Sequence, residues 1–243
     1  MSAEAQCSSS DASGVRTLTL NRPVKANSLG AGIVEEMLAH LAQAAADGTR
    51  LVVVRASGRN FCAGFDFTGF EEQSEGDLVL RFVRIEQLLQ ALRYAPFVTV
   101  ACVQGAAFGA GADIVAACTY RIGSPSARLR FPGFRFGVAL GTRHLARLVG
   151  VSRARDILLR NRQLDAREAL ECGLLTRVVE SEDFDAAVAS VAEGLGELDQ
   201  STLGVLLHNT IEGTRDQELA ELVRSVSVPG LHRRIARYRA ASA

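Results

Sequence analysis

The hydrophobic positions in the N-terminal half of the chain alternate between strand and helix patterns. Val15 to Leu20 alternates apolar and polar residues and predicts a strand, which ends at Pro23 because proline lacks a backbone donor. Residues 32–46 carry apolar side chains at helical spacing, and residues 50–55 contain the continuous apolar run of a strand covered on both faces. The same order then recurs: a helix near 77–94, a strand over 97–103, a short helix over 112–117 and a strand over 120–123. This alternation predicts an α/β fold with a parallel sheet and ligand sites at the carboxyl ends of its strands.

The pattern becomes helical from about residue 142. We predict helices within residues 142–172, one further strand over 175–179, and three helices near 185–198, 201–212 and 216–226 before a basic terminal helix. The chain is therefore divided into three regions. These are a flexible N-terminal tail over residues 1–13, an α/β core over 14–180 and a helical region over 181–243.

The composition narrows the classes of partner. Lys plus Arg and Asp plus Glu each total 27, so no overall charge favours nucleic acid or an anionic membrane surface. The longest apolar stretch, near 97–103, is shorter than the roughly 18 residues that cross a bilayer, and residues 1–13 do not resemble a secretory signal. Five scattered cysteines without CxxC spacing favour free thiols in a reducing compartment, so we expect a cytoplasmic location. No HxxH or HxxxH pair occurs, and no metal site is expected.

Two glycine-containing loops follow predicted strands and offer backbone N–H groups to a ligand. In the first, residues 58–67, Gly64 permits a turn that directs the N–H of Phe65 outward. The second, residues 105–113, enters a helix whose first N–H groups favour negative charge, so the two loops together would form an oxyanion hole. One alternative is that the glycines of the second loop only permit close packing. Another is a dinucleotide-binding loop of a nucleotide-dependent enzyme, which the missing G-x-G-x-x-G order disfavours.

Three motifs, in their order and at their intervals, resemble the crotonase family, also called the enoyl-CoA hydratase/isomerase superfamily. They are residues 21–29 (NRPVKANSL), 61–66 (FCAGFD) and 103–113 (VQGAAFGAGAD), with further matches at Phe131-Pro132, at Gly141-Thr142 and within 166–179. The resemblance covers residues 14–180. It implies a core of ββα units arranged as a spiral with a C-terminal helical region, and an enzyme that stabilises a thioester enolate.

The resemblance also implies roles for individual residues. Phe65 and Ala110 occupy the positions whose N–H groups bind the thioester oxygen, and one such donor contributes about 3 kcal/mol to transition-state stabilisation. Coenzyme A would be part of the substrate, no prosthetic group is implied, and family members commonly assemble as trimers or dimers of trimers. Lys25 is alternatively a solvated loop lysine. Five residues resemble the segment that binds the nucleotide end of CoA: Lys25, Ala26, Asn27, Ala63 and Asp66.

The sequence departs from the family's hydratases at the catalytic carboxylates. Hydratases use two glutamates; here the first position is Asp113 and the second is Gly133. Asp113 is the acid/base candidate, with the alternative that it only complements the dipole of its helix. Because addition of water needs both a base and an acid, hydration, isomerisation, hydrolysis, decarboxylation and lyase chemistry all remain open. So does a non-catalytic acyl-CoA-binding role.

Several side chains around the altered loop are candidates for recognising the acyl group. Arg130, Arg135 and Arg143 would contact an acidic acyl group, or alternatively are solvated or paired. His144 is expected at the surface or at a helix end. Four phenylalanines predict either an apolar pocket or part of the core: Phe65, Phe67, Phe70 and Phe108.

Overall fold

A computed structural model describes residues 5–12 and 14–241 of the chain. Within them the strands are, in chain order, β1 (Cys7–Ala12), β2 (Val15–Leu20), β3 (Leu51–Ala56), β4 (Val98–Val103), β5 (Ala106–Phe108), β6 (Tyr120–Gly123), β7 (Arg128–Arg130), β8 (Gln163–Asp165) and β9 (Arg177–Val178). The α-helices are α1 (Ala31–Ala46), α2 (Glu75–Arg93), α3 (Ala110–Ala117), α4 (Thr142–Val149), α5 (Val151–Arg160), α6 (Ala166–Glu171), α7 (Phe184–Gly194), α8 (Gln200–Asn209), α9 (Arg215–Val226) and α10 (Leu231–Ala240).

The strands of the described chain form two sheets. The larger has the order β1-β2-β3-β4-β6-β9, and all its pairings are parallel except β1 with β2. Strand β4 is buried along its whole length, as its continuous apolar run predicts. The smaller sheet has the order β5-β7-β8. The α/β prediction is confirmed.

Two predictions about strands were wrong. Residues 7–12 of the expected flexible tail form β1, an edge strand paired antiparallel with β2, while residues 1–4 and 13 of that tail lie outside the described residues. Only Cys7 is buried in β1, so a serine-rich strand with one apolar anchor carries almost no periodic signal. The smaller sheet was missed because its strands have three residues each, too few to show an alternation.

The helical region packs on the α/β core. Helix α9 lies against α2, and α10 lies against the 3₁₀ turn Gly133–Phe136. The Arg234 guanidinium of α10 donates to the carbonyl oxygens of Phe136 and Gly137 at 2.9 and 3.0 Å, which fixes α10 to this turn. Every helix in the described chain is too short or too polar to span a lipid bilayer.

The buried guanidinium of Arg121 in β6 ties the end of α3 to the segment after α6. Its nitrogens donate to the carbonyl oxygens of Cys118 and Thr119 at 2.9 and 2.7 Å, and to those of Leu174 and Gly173 at 2.8 and 3.4 Å. Since a buried carbonyl that loses its donor costs free energy, this one side chain stabilises the junction of both segments.

We expect Arg121→Met to lower the free energy of unfolding by about 3 kcal/mol, because it leaves several buried carbonyls without donors. Denaturant unfolding measures the change. The matched control is Arg128→Met, which removes hydrogen bonds to Pro125 and Ala127 near the surface and should cost less than about 1 kcal/mol. Equal losses for both variants would contradict this role of Arg121.

Candidate active site

The two glycine-containing loops meet through direct backbone hydrogen bonds. The N–H of Cys62 donates to the Ala106 carbonyl at 3.0 Å, and the N–H of Phe108 donates to the Cys62 carbonyl at 2.9 Å. The first loop therefore continues the smaller sheet alongside β5. This pairing holds Gly64 and the start of α3 side by side.

Glycines make this approach possible. Gly64 has φ +90°, and a Cβ there would lie 2.5 Å from the Phe108 carbonyl oxygen and 3.3 Å from the Ala110 nitrogen. A Cβ on Gly111 would lie 2.4 Å from the Cys62 carbonyl oxygen. Gly111 thus serves close packing, one of the alternatives raised by the sequence, whereas Gly64 also sets the direction of the next peptide.

The N–H groups of Phe65 and Ala110 have no acceptor among the described residues. On either side of the Phe65 N–H, the chain bonds to Leu29: the Gly64 carbonyl accepts from Leu29 and the Asp66 N–H donates to Leu29. Ala110 is the first residue of α3, where a helix leaves its N–H groups unpaired. Both residues line one cavity, so two donors are available to one ligand.

The cavity is apolar, with a volume of about 100 Å³. That is several times the roughly 10–15 Å³ that a single water needs. Three of the four predicted phenylalanines line it, Phe65, Phe67 and Phe108, while Phe70 is buried beside it against Phe67. The ring of Phe65 stacks on Phe82 with ring centroids 4.4 Å apart. The aromatic-pocket prediction is confirmed for the three lining residues.

Asp113 lines the same cavity and is almost completely buried. Its Oδ1 has no hydrogen-bond partner in the described chain, and a Cβ on Gly141 would lie 2.3 Å from it. Burial, and secondarily the charge of Glu86, raises the pKa of the Asp113 carboxyl well above its usual value. Because burial opposes the charged form that would complement a helix dipole, the dipole alternative for Asp113 is disfavoured.

Gly133, where the family's second glutamate would lie, also lines the cavity and begins a tight 3₁₀ turn. A Cβ on Gly133 would lie 2.8 Å from the Val138 carbonyl oxygen, so the turn itself leaves little room for a side chain. Among the described residues, Asp113 supplies the carboxyl group in the cavity wall.

The five residues expected at the nucleotide end of CoA lie close together. Lys25 is exposed, with Nζ 3.5 Å from the Thr68 hydroxyl, and Ala26 has φ +46°. Asn27 is buried: its Nδ2 donates to the carbonyls of Ser57 and Asn60 at 2.9 Å each, so it shapes the loop rather than presenting a side chain. The five predicted residues therefore lie in one region, but the sequence did not distinguish those that hold the loop from those that are exposed.

The other two residues of this segment divide in the same way. Ala63 is exposed, lines the cavity, and its N–H donates to the Ala26 carbonyl at 2.9 Å. Asp66 is buried in an ion pair with Arg22 at 2.9 Å and accepts from the Thr68 N–H at 2.9 Å. Burial opposes ionisation, yet these hydrogen bonds and the guanidinium lower the pKa of the Asp66 carboxyl. Asp66 is therefore a structural carboxylate.

The fold assembles a buried polar cluster that sequence reasoning missed. Glu86, His144 and Glu218 come from α2, α4 and α9, and their ligand-type atoms lie within 4.8 Å of one another. The expectation of a surface or helix-capping His144 was wrong: it is buried, and neither ring nitrogen has a hydrogen-bond partner among the described residues. Burial lowers the pKa of His144 to about 4, so the ring is neutral. The residues are 58 and 74 positions apart in sequence, which no local pattern reveals.

Two arginines beside this cluster indicate that it is an ion-pair network. Arg147 lies 3.0 Å from the Glu218 carboxylate, which also accepts from the hydroxyls of Thr214 and Tyr94 at 2.7 and 3.1 Å. The charge of Glu218 partly opposes the effect of burial on the pKa of His144, and the charges of Arg93 and Arg147 lower this pKa further. Two guanidinium groups already balance the two carboxylates, so no net negative charge is left to attract a divalent cation. We interpret the cluster as a proton- and charge-holding network.

The three candidate arginines have different surroundings. Arg143 forms a bidentate ion pair with Glu221, at 2.9 and 2.6 Å, and Arg135 donates to the Leu159 carbonyl at 3.0 Å on the surface. Arg130 lines the cavity with its guanidinium carbon 5.2 Å from the centre of the Phe108 ring. Its Nε is buried without a partner, and no carboxylate of the described chain pairs with it. Only Arg130 therefore remains a candidate for contacting an acyl group.

Comparisons with known proteins agree with this architecture. Residues 10–225 match the family model described as enoyl-CoA hydratase/isomerase. A probable enoyl-CoA hydratase from Mycobacterium tuberculosis is 33% identical over 184 residues, which cover 74% of this chain and 74% of that protein. A probable enoyl-CoA hydratase from Rhodobacter capsulatus is 36% identical over 189 residues, which cover 74% of this chain and 73% of that protein.

Solved structures show the same fold. The crystal structure of a putative enoyl-CoA hydratase/isomerase from Bordetella parapertussis has a TM-score of 0.96 and 40% identity, and the match covers 98% of this chain and 99% of that chain. The crystal structure of an enoyl-CoA hydratase/isomerase from Xanthobacter autotrophicus has a TM-score of 0.84 and 24% identity. The match covers 93% of this chain and 88% of that chain, and it shows the fold alone. The chain belongs to the enoyl-CoA hydratase/isomerase family, and the predicted crotonase-like fold is confirmed.

We expect the free energy of unfolding to fall less steeply with rising pH in Asp113→Asn than in the unsubstituted protein. A carboxyl whose pKa is higher in the folded than in the unfolded state stabilises the fold fully at pH values below its unfolded-state pKa. This stabilisation is lost as the pH rises through its folded-state pKa. Each unit of pKa difference is worth about 1.4 kcal/mol. Urea unfolding from pH 4 to 9 measures the slope.

The control for this experiment is Asp183→Asn, the same substitution at an exposed carboxylate. It should leave the slope of unfolding free energy against pH unchanged. A slope for Asp113→Asn equal to that of the unsubstituted protein would contradict the raised pKa of Asp113.

Proposed function

We propose that this member of the enoyl-CoA hydratase/isomerase family acts on acyl-CoA thioesters and stabilises the thioester enolate between the N–H groups of Phe65 and Ala110. The observation that carries the proposal is the placement of these two unpaired donors on the wall of an apolar cavity that also contains the Asp113 carboxyl. In such surroundings, fixed N–H groups stabilise a developing oxyanion more strongly than water does.

Asp113 would move the proton at the carbon next to the thioester carbonyl. As a carboxylic acid it donates a proton to that carbon of the enolate; as a carboxylate it removes one. Because Gly133 supplies no second carboxyl, shifting a double bond along the acyl chain is the reaction that needs the fewest groups. One carboxyl can remove a proton from one carbon and return it to another. Isomerisation is therefore our principal candidate.

Coenzyme A would enter as part of the substrate. The exposed Lys25 and Ala63 are the members of the predicted segment that are free to meet its nucleotide end, whereas Asn27 and Asp66 hold the loop in place. A non-catalytic acyl-CoA-binding protein is the competing function. It would use the same donors and cavity without moving a proton, so turnover separates the two.

We further propose that the acyl group carries a carboxylate. Arg130 holds a positive charge in a cavity wall that is otherwise mostly apolar, and it has no anionic partner within the described chain. A guanidinium in such surroundings is costly unless an anion pairs with it. A carboxylate on the acyl chain, or a phosphate of CoA, would provide that anion.

We expect Ala110→Pro to lower kcat by about 100-fold, because it removes one donor of the oxyanion hole. Proline is compatible with the first position of a helix, so the unfolding midpoint should stay near that of the unsubstituted protein. Mass-spectrometric turnover of enoyl-CoA thioesters measures the change. The control Ala110→Gly keeps the N–H and should retain most activity; equal turnover for both variants would contradict the oxyanion hole.

We expect Arg130→Met to lower kcat/KM for a monothioester of a dicarboxylic acid by about 10-fold or more relative to its neutral analogue, since a hydrogen bond to a charged group contributes about 1.5–3 kcal/mol. Arg135→Met, the surface control, should leave the ratio unchanged. If Arg130→Met weakens both thioesters and free CoA equally, the guanidinium binds a CoA phosphate and the acidic-acyl proposal fails.

A further inference from the structure

We propose that Arg81 of α2 is a positioning residue that fixes the direction of the Phe65 N–H, one of the two donors of the oxyanion hole. The contacts that support this role lie among the described residues. Its use in turnover rests on the function proposed above, because only a bound thioester oxygen would depend on the direction of this donor.

The backbone of Leu29 holds one side of the peptide that carries the donor. The Leu29 N–H donates to the Gly64 carbonyl at 2.7 Å, and the Leu29 carbonyl accepts from the Asp66 N–H at 3.2 Å. Because a peptide bond is planar and trans, the Phe65 N–H points opposite to the Gly64 carbonyl and therefore away from Leu29. These two bonds leave the Phe65 ring and the Asp66 carbonyl to be held by other groups.

Arg81 holds both of them. Its guanidinium carbon lies 4.1 Å from the centre of the Phe65 ring, and its Nη2 donates to the Asp66 carbonyl oxygen at 2.5 Å. A guanidinium is attracted to the face of an aromatic ring, and its planar set of donors lets it stack and donate at the same time. One side chain thus restrains the Phe65 ring and the residue that follows it.

The next residue of α2 adds a third restraint on Phe65. The Phe82 ring stacks on the Phe65 ring, with an interplanar angle of 14°. Phe65 is only 6% exposed, so its ring cannot turn without losing a close contact with Phe82 or Arg81. Since the ring and the N–H are attached to the same Cα, a fixed ring and a fixed Asp66 carbonyl leave the donor one direction.

The surroundings of Arg81 differ from those of an arginine in a surface ion pair. Its Nη1 donates to Gln73 Oε1 at 3.1 Å, so its hydrogen bonds go to an amide oxygen and a backbone carbonyl. Burial lowers the pKa of Arg81, and the charge of Asp66 partly opposes this. Arg84, three residues further along α2, instead pairs with Glu35 at the surface. The two arginines therefore form a matched pair for substitution.

The first test is kinetic. We expect Arg81→Met to lower kcat for enoyl-CoA thioesters by about 10-fold, with KM changed less than about twofold. The loss is smaller than that for a deleted donor because the Phe65 N–H is displaced and not removed. Arg84→Met, the matched control, should leave both constants unchanged. Mass-spectrometric turnover measures them.

The second test reads the donor without turnover. Hydrogen bonds from the oxyanion hole polarise a thioester carbonyl, so the stretching frequency of a ¹³C-labelled carbonyl in a saturated acyl-CoA should fall on binding, which infrared difference spectroscopy measures. We expect Arg81→Met to lose part of this shift and Arg84→Met to keep all of it. Arg81→Lys retains a charge for the Phe65 ring but has a single nitrogen, so it should give an intermediate shift.

The outcomes separate this proposal from the proposed function. A full carbonyl shift and unchanged kcat in Arg81→Met overturn the positioning role; if that variant does not fold, a full shift in Arg81→Lys does so. If the shift depends on Arg81 but the unsubstituted protein converts no thioester, the catalytic function fails and the positioning role stands. If binding to the unsubstituted protein shifts no carbonyl frequency, the oxyanion hole fails and the proposal fails with it.

Discussion

The contact between two loop backbones is the constraint on which the candidate site depends. Across it Cys62 donates to the Ala106 carbonyl and accepts from the Phe108 N–H, and Gly64 and Gly111 have no space for a Cβ. Because peptide groups rather than side chains form this contact, it holds the two N–H groups at the regular spacing of neighbouring strands. The two N–H groups that we propose to bind the enolate follow from that contact, and as backbone groups they do not depend on the side chains at their own positions.

Exclusion of water is what shifts the pKa values of the carboxyls in and near the site. Asp113 and Glu86 have raised pKa values chiefly because they are buried. The pKa of Asp66 is lowered although Asp66 is buried, because it pairs with Arg22 and a backbone N–H. The pKa values of three carboxyls of one chain are thus shifted in different directions because their hydrogen-bond partners differ. The fold raises the pKa of the carboxyl at the cavity wall and lowers that of the carboxyl that shapes the neighbouring loop.

Sequence reasoning reached the parts of the fold that local periodicity encodes. Strands such as Val15–Leu20 and the motif-bearing loops were predicted at the right places, and Phe65, Ala110 and Asp113 do line one cavity. Strand β1 and the smaller sheet were missed because their stability comes from pairing rather than from their own residues. Glu86 and His144 were missed because burial of a polar side chain on a helix is decided by partners distant in sequence, here from α9.

The turn at Gly133 has a consequence for redesign of the enzyme. A glutamate introduced there would place its Cβ 2.8 Å from the Val138 carbonyl, so the backbone would have to shift before the new carboxylate could reach the cavity. A glutamate codon at this position would therefore not be enough to add a second carboxylate to the cavity, because the turn between Gly133 and Val138 would also have to be rebuilt.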